Sequence, residues 1–357
     1  MVSFSSKISL VLFFLLCATT LFNISNCSNN IQVVRCNEKD QLTLSMFKAG
    51  VLDLSNRLSS WSNNEDCCSW IGVLCDNLTG RVTMFDLRGF EMGGEVNLSL
   101  LQLQFLNYLD LSFNSFSAIS IPPFLLSKSP PNISINLQYL DLSMNYFGMD
   151  NLHWLSPFSS LKYLDLTGIN LSNETSWLHS VAILPSLSEL YLTLCELKLP
   201  NWLFNLTSAI SYIDLSHNLL SGYIPSTLGN LSSLIYLDLS SNHLNGNLPK
   251  SLGQLSNLES LNLEGNSLVG VITEETFSKL SSLETLNLDS TGLELDLDSN
   301  YQSLYLGMGV GFAVSFWVVC GSIFCIRAWR HRFFRWFDDV VDGVYVAMAL
   351  KFKSFSS

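Results

Sequence analysis

Cysteine is the residue type whose number and spacing most clearly predict a chemistry in this sequence. Four of the 9 cysteines fall within one stretch near the N-terminus: Cys36, Cys67, Cys68 and Cys75. Clustered cysteines in a chain with a secretory signal, argued below, are typical of a disulfide framework, and four cysteines allow three pairings. Adjacent Cys67 and Cys68 are not expected to bridge each other. The sequence therefore predicts an extracellular segment held by disulfides, with the pairing left open.

No other residue pattern indicates catalysis. The five histidines are scattered and show no metal-ligand spacing; they are His153, His179, His217, His243 and His331. No serine or cysteine lies in a nucleophile motif, and there is no glycine-rich phosphate-binding loop. The sequence predicts a protein that binds without catalysing a reaction, and it predicts no cofactor and no metal site.

A repeated pattern predicts the elements that would position these residues. Residues 210–268 contain one frame three times, Leu/Ile-x-x-Leu/Ile-x-Leu-x-x-Asn-x-Leu. Its asparagines, Asn218, Asn242 and Asn266, are 24 residues apart, which lies within the range of leucine-rich repeats. In Tyr212–Ser216 the alternation sends Ile213 and Leu215 inward and the other side chains to solvent. One such unit cannot bury its apolar side, so the units must stack into an α/β solenoid of the horseshoe or superhelix kind.

The same frame extends over about nine repeats in residues 81–295. Its asparagine slot holds, in order, Phe90, Asn114, Asn145, Ile169, Cys195, Asn218, Asn242, Asn266 and Thr291. We interpret the frame asparagines as structural, because stacked amides can pair with backbone groups at the turn that leaves each strand. Cys195 is interpreted as a structural substitute rather than a reactive thiol. The segments LSGYIP and LNGNLP, which follow two of the frames, resemble a plant-specific class of leucine-rich repeat, and this resemblance implies a second short sheet.

The outward strand positions form two columns on the expected concave face. One column holds Tyr108, Tyr139, Tyr163, Tyr212 and Tyr236, and the next holds Asp110, Asp141, Asp165, Asp214 and Asp238. An aromatic and acidic ligand track is one interpretation. We favour the other, in which Tyr-Leu-Asp-Leu-Ser is the repeat consensus, solvated and structural. Ligand contacts are then expected where the columns break, at Glu189, Tyr191, Asn262, Glu264, Asn287 and Asp289.

Two apolar segments near the ends predict the cellular location. Residues 1–27 are typical of a signal peptide, with Lys7 ahead of an apolar core. Residues 306–326 carry no charge and are long enough to cross a bilayer. Arginines follow this span at once, which predicts an extracellular N-terminus and a cytoplasmic tail in a single-pass plasma-membrane protein.

The remaining boundaries and charges follow from these segments. Residues 28–80 form the expected N-terminal cap, 296–305 an acidic juxtamembrane segment, and 327–357 a short tail that is too small for a kinase. Residues 28–305 carry a formal charge of −16, and the tail carries +3. An acidic ectodomain argues against nucleic acid as a partner and permits cationic ones.

The cap and the repeats carry two further predictions. Asn37 is expected to cap a short helix with Leu42, Met46 and Phe47 on its apolar face. Seven Asn-x-Ser/Thr sites are candidates for glycosylation in a secreted chain. They are Asn77, Asn97, Asn132, Asn170, Asn173, Asn205 and Asn230.

Two long motifs resemble one protein family. The stretch SNRLSSWSNNEDCCSWIGVLCDNLTGRVTMFDLRG resembles the N-terminal cap of plant leucine-rich-repeat receptors. The span and tail, GMGVGFAVSFWVVCGSIF and RAWRHRFFRWFDDVVDGVYV, resemble those of plant receptor-like proteins, which are kinase-less relatives that include fungal-elicitor receptors. The resemblance implies the bridges Cys36–Cys67 and Cys68–Cys75. It also implies that a face formed by Gly307, Gly311 and Ser315 pairs with the membrane helix of an adaptor receptor kinase.

The function implied by this resemblance is capture of an extracellular protein or peptide, with defence signalling through adaptor and co-receptor leucine-rich-repeat kinases. Relatives typically carry a cysteine-bearing C-terminal cap, whereas no cysteine lies between Cys195 and Cys320 here. That difference indicates a shortened member. Two alternatives stay open: a leucine-rich-repeat inhibitor of pathogen cell-wall hydrolases, and a truncated decoy that does not signal.

Overall fold

The computed structural model describes residues 34–62, 64–126, 136–198, 206, 209–273 and 279–296. The predicted signal peptide, membrane span and tail lie outside these residues. Within the described ranges, no helix combines the length and apolar character needed to cross a bilayer.

The N-terminal cap begins with helix α1, Glu38–Gly50, and the Asn37 side chain accepts a hydrogen bond from the amide of Lys39 as predicted. The buried face of α1 differs from the prediction, because Leu42 and Met46 are each 63% exposed. Asp40, Leu44 and Phe47 are the buried residues instead. They are spaced i, i+4 and i+7, which places them on one face of the helix.

Asp40 is buried because it joins the cap to the first repeat. Its carboxylate accepts from Arg81 Nε at 2.9 Å and from the backbone amide of Val82 at 3.0 Å. A buried carboxylate without such donors would be strongly destabilising. The charged Asp40 therefore lies on the buried face of α1, from which Leu42 and Met46 are absent.

Two disulfides and a pair of tryptophans complete the cap. Cys36 bonds to Cys67 and Cys68 to Cys75, the pairing implied by the family resemblance. The four sulfurs lie within 4.8 Å of one another, but both pairs are bridged. Trp61 and Trp70 stack at 4.9 Å between ring centroids. The cap covers the apolar end of the first repeat, which a solenoid requires.

The principal sheet has ten strands among the described residues. In chain order they are β2 (Val73–Cys75), β3 (Val82–Asp86), β5 (Tyr108–Asp110), β7 (Tyr139–Asp141), β8 (Tyr163–Asp165), β9 (Glu189–Tyr191), β10 (Tyr212–Asp214), β12 (Tyr236–Asp238), β14 (Ser260–Asn262) and β16 (Thr285–Asn287). They lie side by side in this order. The strand β2 is antiparallel to β3, and each later pair is parallel. In the described residues, nine parallel strands therefore stand where the nine frames were found.

The inward positions of these strands build one continuous core. Leu109, Leu140, Leu164, Leu190, Ile213 and Leu237 each have 0% exposure. Alternation along the strand therefore places the frame leucines as predicted. Ser216 is an exception to the predicted pattern, since it is 5% exposed rather than solvent-facing. Neighbouring strands cover it, and its hydroxyl lies 3.4 Å from that of Thr193.

The frame asparagines bond to the backbone, as we predicted. Asn145 is 5% exposed, and its Nδ2 lies 3.0 Å from the carbonyl of Leu111 and 2.9 Å from that of Leu142. Its Oδ1 accepts from the amide of Phe116 at 3.3 Å. Each asparagine thereby joins its own turn to the preceding repeat and satisfies buried backbone groups.

Cys195 takes the same slot with fewer bonds. Its thiol is 0% exposed and lies 3.2 Å from the carbonyl oxygen of Leu166 and 3.4 Å from that of Thr193. Burial raises the pKa of the thiol to about 12. These contacts favour the structural interpretation of Cys195.

Additional sheets lie beside the principal one. The strands β1 (Val51–Leu52), β4 (Gly93–Asn97) and β6 (Ser115–Ser120) form one of them. The strands β11 (Ser221–Tyr223), β13 (His243–Gly246), β15 (Ser267–Thr273) and β17 (Gly292–Asp296) form the other. The predicted second sheet is present and extends over two repeats that lack the motif on which the prediction rested.

Short helices close the convex side. The α-helices here are α2 (Pro123–Leu126) and α3 (Trp177–Ala182). The 3-10 helices are Cys67–Ser69 in the cap, then Leu98–Gln102, His153–Leu155, Ser226–Asn230 and Lys250–Gln254. Trp154 and Trp177 are fully buried beneath this layer. The layer leaves the outward face of the principal sheet open as the surface on which the predicted site residues lie.

Candidate ligand-binding face

Strand register builds the two predicted columns on the outward face of the principal sheet. Tyr108 pairs with Tyr139 and Tyr139 with Tyr163, while Tyr212 pairs with Tyr236. The aspartates two residues later pair in the same way along the neighbouring column. Parallel strands at about 4.8 Å spacing bring the members of each column into contact.

The tyrosine column begins with a tight stack. The ring centroids of Tyr108 and Tyr139 are 4.2 Å apart, as are those of Tyr139 and Tyr163, and each pair of rings is inclined by only 9°. Tyr212 and Tyr236 repeat the arrangement at 6.2 Å. Burial, followed by the neighbouring Asp238 carboxylate, raises the pKa of Tyr236 to about 12. The Tyr236 phenol therefore stays neutral at physiological pH.

Three of the five aspartates in the next column are buried rather than solvated as expected. Asp110, Asp141 and Asp238 are 1%, 3% and 8% exposed. In each repeat the carboxylate caps the turn that leaves the strand: Asp141 Oδ1 accepts from the amide and hydroxyl of Ser143 at 2.9 and 2.6 Å. The tyrosine rings and adjacent strands exclude water from these groups. Burial, and then the nearby Asp165 charge, raises the pKa of Asp141 to about 6.

Strand β9 exchanges the two columns. Glu189 stands in register between Tyr163 and Tyr212, and Tyr191 stands between Asp165 and Asp214. The Tyr191 hydroxyl donates to Glu189 Oε2 at 3.3 Å, and its ring centroid is 5.3 Å from that of Tyr163. Burial and the Glu189 carboxylate raise the pKa of the Tyr191 phenol. Both side chains are half-buried and remain accessible from the concave side.

The other four predicted contacts form a second group, with Asn262 and Asn287 on β14 and β16 and Glu264 and Asp289 just after these strands. Asn287 Nδ2 donates to Glu264 Oε2 at 2.8 Å, and Asn262 Nδ2 donates to Asp238 Oδ2 at 2.8 Å. Asp289 is exposed, and its amide donates to Asn287 Oδ1 at 3.1 Å. In these two repeats asparagine stands in the aspartate column, and the acidic side chain follows two residues later in the chain.

The six predicted contacts thus form two clusters rather than one surface. Strands β10 and β12 separate Glu189 and Tyr191 from the second group. Sequence reasoning set Tyr163 and Tyr212 aside as consensus residues, although they border Glu189 on either side. Aligning the repeats on their frame would have revealed this, because register in a parallel sheet follows the repeat.

Acidic side chains outnumber basic ones at the outward positions of the strands. In the described ranges the ion-pair geometry is met by Arg81 and Asp40 alone, and that pair joins the cap to the first repeat. Arg88 lies at the N-terminal edge with its guanidinium 5.0 Å from the centroid of the Phe113 ring. It borders a cleft of about 490 Å³ whose lining includes Leu74, Met84 and Phe90, which sequence reasoning did not identify. The face is therefore acidic along most of its length.

The candidate glycosylation sites that the structure describes are all on the surface. Their asparagines are exposed, as attachment of a glycan requires. They are Asn77, Asn97, Asn170, Asn173 and Asn230. Asn132 and Asn205, and the predicted pairing residues Gly307, Gly311 and Ser315, lie outside the described residues.

The stacked strands, the frame asparagines and the disulfide cap define a leucine-rich-repeat protein. Family models agree with this class. A leucine rich repeat N-terminal domain matches residues 37–76, and leucine rich repeat models match residues 208–268 and 257–280.

The particular relatives are plant receptor-like proteins, which lack a kinase domain, and the resemblance seen in the sequence is confirmed. Receptor-like protein EIX1 of Solanum lycopersicum is 33% identical over 56% of this chain, and receptor-like protein EIX2 of the same species is 33% identical over 63%. The matched regions span 26% and 28% of those relatives. These relatives are receptor-like proteins rather than enzymes.

A solved structure shares the fold. The ectodomain of the Arabidopsis thaliana receptor kinase GASSHO1/SCHENGEN3, in complex with CASPARIAN STRIP INTEGRITY FACTOR 2, superposes with a TM-score of 0.54. The match covers 71% of this chain and 33% of that one at 24% identity. This likeness establishes the solenoid architecture.

Proposed function

We propose that this chain is a single-pass receptor-like protein of the plant plasma membrane that captures an extracellular peptide or protein and signals in defence through a partner receptor kinase. The observation that carries the proposal is the open outward sheet face. The strands of this face stay in register from repeat to repeat. The outward residues on β9, β14 and β16 nevertheless differ from the Tyr and Asp of the other repeats. A binding face needs such local variation on a rigid support, because the support fixes the contacts in advance.

The proposed route of signalling passes through the membrane. The receptor-like relatives lack a kinase domain, so the proposal assigns the kinase to a partner protein. Small residues at Gly307, Gly311 and Ser315 recur every four positions, and such faces allow two membrane helices to approach closely. An adaptor kinase helix is the proposed occupant of this face, with the N-terminus outside and the tail in the cytoplasm.

The test is recovery of a receptor kinase with the tagged full-length chain from plant membranes, with and without microbial elicitors. We expect a receptor kinase in the wild-type sample and its loss when both Gly307→Leu and Gly311→Leu are introduced. Gly309→Leu is the matched control, because position 309 lies on another side of the same helix. It should leave recovery unchanged.

Two outcomes would replace the proposal. A mature protein found soluble in the cell-wall fluid would favour the inhibitor of pathogen cell-wall hydrolases. A membrane-bound chain that recovers no receptor kinase, and is unaffected by the double glycine replacement, would favour a decoy without signalling output.

A further inference from the structure

The exchange on β9 opens a gap in the tyrosine column. Tyr163 and Tyr212 flank Glu189 in register, so their backbone positions are about 10 Å apart, two strand spacings. Elsewhere in the column, the centroids of adjacent rings lie 4.2 to 6.2 Å apart. Tyr163 and Tyr212 therefore do not stack on each other across Glu189, and the tyrosine column is interrupted at this strand.

A third ring borders the same gap from the neighbouring column. The Tyr191 ring lies 5.3 Å from Tyr163, and its hydroxyl reaches Glu189 Oε2 at 3.3 Å. Tyr163, Tyr191, Tyr212 and Glu189 are all half-buried, which leaves each of them partly open to the concave side. We call these four residues the tyrosine cage: three rings around one carboxylate.

The electrostatics of the cage favour a cation. No described cation lies within ion-pair distance of Glu189. Asp165 and Asp214 flank Tyr191 in the next column and add negative potential. The faces of aromatic rings attract cations, and a neighbouring carboxylate reinforces that attraction. The cage combines both features at one point of the sheet.

We propose that the tyrosine cage binds an arginine side chain of the extracellular ligand. The inference rests on the proposed function, in which the outward sheet face captures a peptide or protein. Arginine fits better than lysine because a planar guanidinium stacks on tyrosine rings and pairs with a carboxylate through two parallel hydrogen bonds. The wider excess of acidic groups on this face draws a basic segment toward the cage.

The competing explanation is that β9 merely drifted from the repeat consensus. In that case the Tyr191–Glu189 hydrogen bond satisfies both side chains, and the gap binds nothing. The two explanations differ in whether a guanidinium binds with preference over a neutral group of the same shape.

The experiment measures binding of acetyl-arginine-amide to the full-length chain purified in detergent, by ligand-observed NMR. Acetyl-citrulline-amide is the neutral isostere of the probe. We expect citrulline to bind about tenfold more weakly than arginine, since it lacks the charge on which both attractions depend. Glu189→Gln should weaken arginine binding about fivefold or more, and Tyr212→Leu should weaken it about threefold or more.

Glu95→Gln is the matched control, because it removes one exposed carboxylate from β4, a strand of a different sheet that carries no predicted ligand contact. It should change arginine binding less than about twofold. The proposal is overturned if arginine fails to bind, if citrulline binds equally well, or if Glu95→Gln weakens binding as much as Glu189→Gln. It is also overturned if Tyr212→Leu has no effect. Thermal unfolding of each variant verifies that it is folded.

This test and the kinase recovery fail independently. Arginine binding uses the purified chain alone, whereas kinase recovery depends on the membrane face. Loss of arginine binding with intact kinase recovery would remove the cage and leave the receptor role in place. Arginine binding without kinase recovery would leave a binding module that lacks the proposed signalling.

Discussion

The repeats of β7 and β9 share a core and differ at their surface and frame positions. Their inward leucines, Leu140 and Leu142 against Leu190 and Leu192, have 0% exposure in both. The outward and frame positions read Tyr139, Asp141, Ser143 and Asn145 in one repeat and Glu189, Tyr191, Thr193 and Cys195 in the other. The backbone nevertheless stays in register across β9. The comparison teaches that the stacked leucines hold the solenoid, so one repeat can depart from the consensus without disturbing its neighbours.

The largest expected effect comes from replacing the residue in the frame slot of each of the two repeats. Asn145→Ala leaves buried backbone groups of two adjacent repeats without partners and should reduce the free energy of unfolding by about 3 kcal/mol. The matched variant Cys195→Ala removes two weaker sulfur contacts and should reduce it by about 1 kcal/mol. Urea unfolding followed by circular dichroism measures both. An equal loss of unfolding free energy in the two variants would show that the asparagine hydrogen bonds do not stabilise the repeat more than the cysteine contacts do.

The second effect concerns the aspartate that β9 lacks. The pKa of Asp141 is raised to about 6 in the folded chain, so the native state holds a proton more tightly than the unfolded state. Its contribution to stability is full below pH ~4 and is lost as the pH rises through about 6. Asp141→Asn should therefore stabilise the chain by about 2 kcal/mol at pH 7 and by almost nothing at pH 4.

Unfolding of the Asp141→Asn variant at the two pH values provides the measurement. The exposed Asp150→Asn removes the same charge nearby and serves as the control. A gain for Asp141→Asn that is the same at pH 4 and pH 7 would contradict the cause assigned here, which is the burial of a carboxylate beside Asp165.

A smaller effect tests whether the exchange on β9 serves binding rather than stability. The double variant Glu189→Tyr with Tyr191→Asp restores both columns at constant charge. We expect the restored tyrosine stack to raise the free energy of unfolding by about 1 kcal/mol and arginine binding to be lost. Thermal unfolding and the NMR titration measure the two results. A destabilised double variant would mean that the exchange is a requirement of packing at this strand.

The smallest effect is an expected lack of reaction at Cys195. The thiol is buried, contacts two carbonyl oxygens and has a pKa of about 12, so iodoacetamide at pH 8 should leave it unmodified in the folded chain. Peptide mapping by mass spectrometry distinguishes Cys195 from the other cysteines, and a urea-unfolded sample is the positive control. Rapid alkylation in the folded state would indicate that this slot opens and that Cys195 is more than a frame residue.

The sequence by itself determined the repeat architecture. A period of about 24 residues and alternating leucines leave one way to bury the apolar side, and the frame asparagines follow from the backbone groups at each turn. The resemblance of the cap to a known family supplied the disulfide pairing that spacing alone had left open. In each case local pattern and global fold agree, so reading one repeat predicts the others.

Only the tertiary structure decided which outward residues are exposed to water and which of them contact one another. The pattern predicted solvated aspartates, yet stacked tyrosine rings and adjacent strands bury Asp110 and Asp141. The pattern also placed Leu42 and Met46 inside the cap, where the ion pair with Arg81 turned Asp40 inward instead. The tyrosine cage on β9 depends on residues about 25 positions apart that parallel register makes neighbours. Burial and contact across strands are properties of the assembled sheet, so one strand read alone could not reveal them.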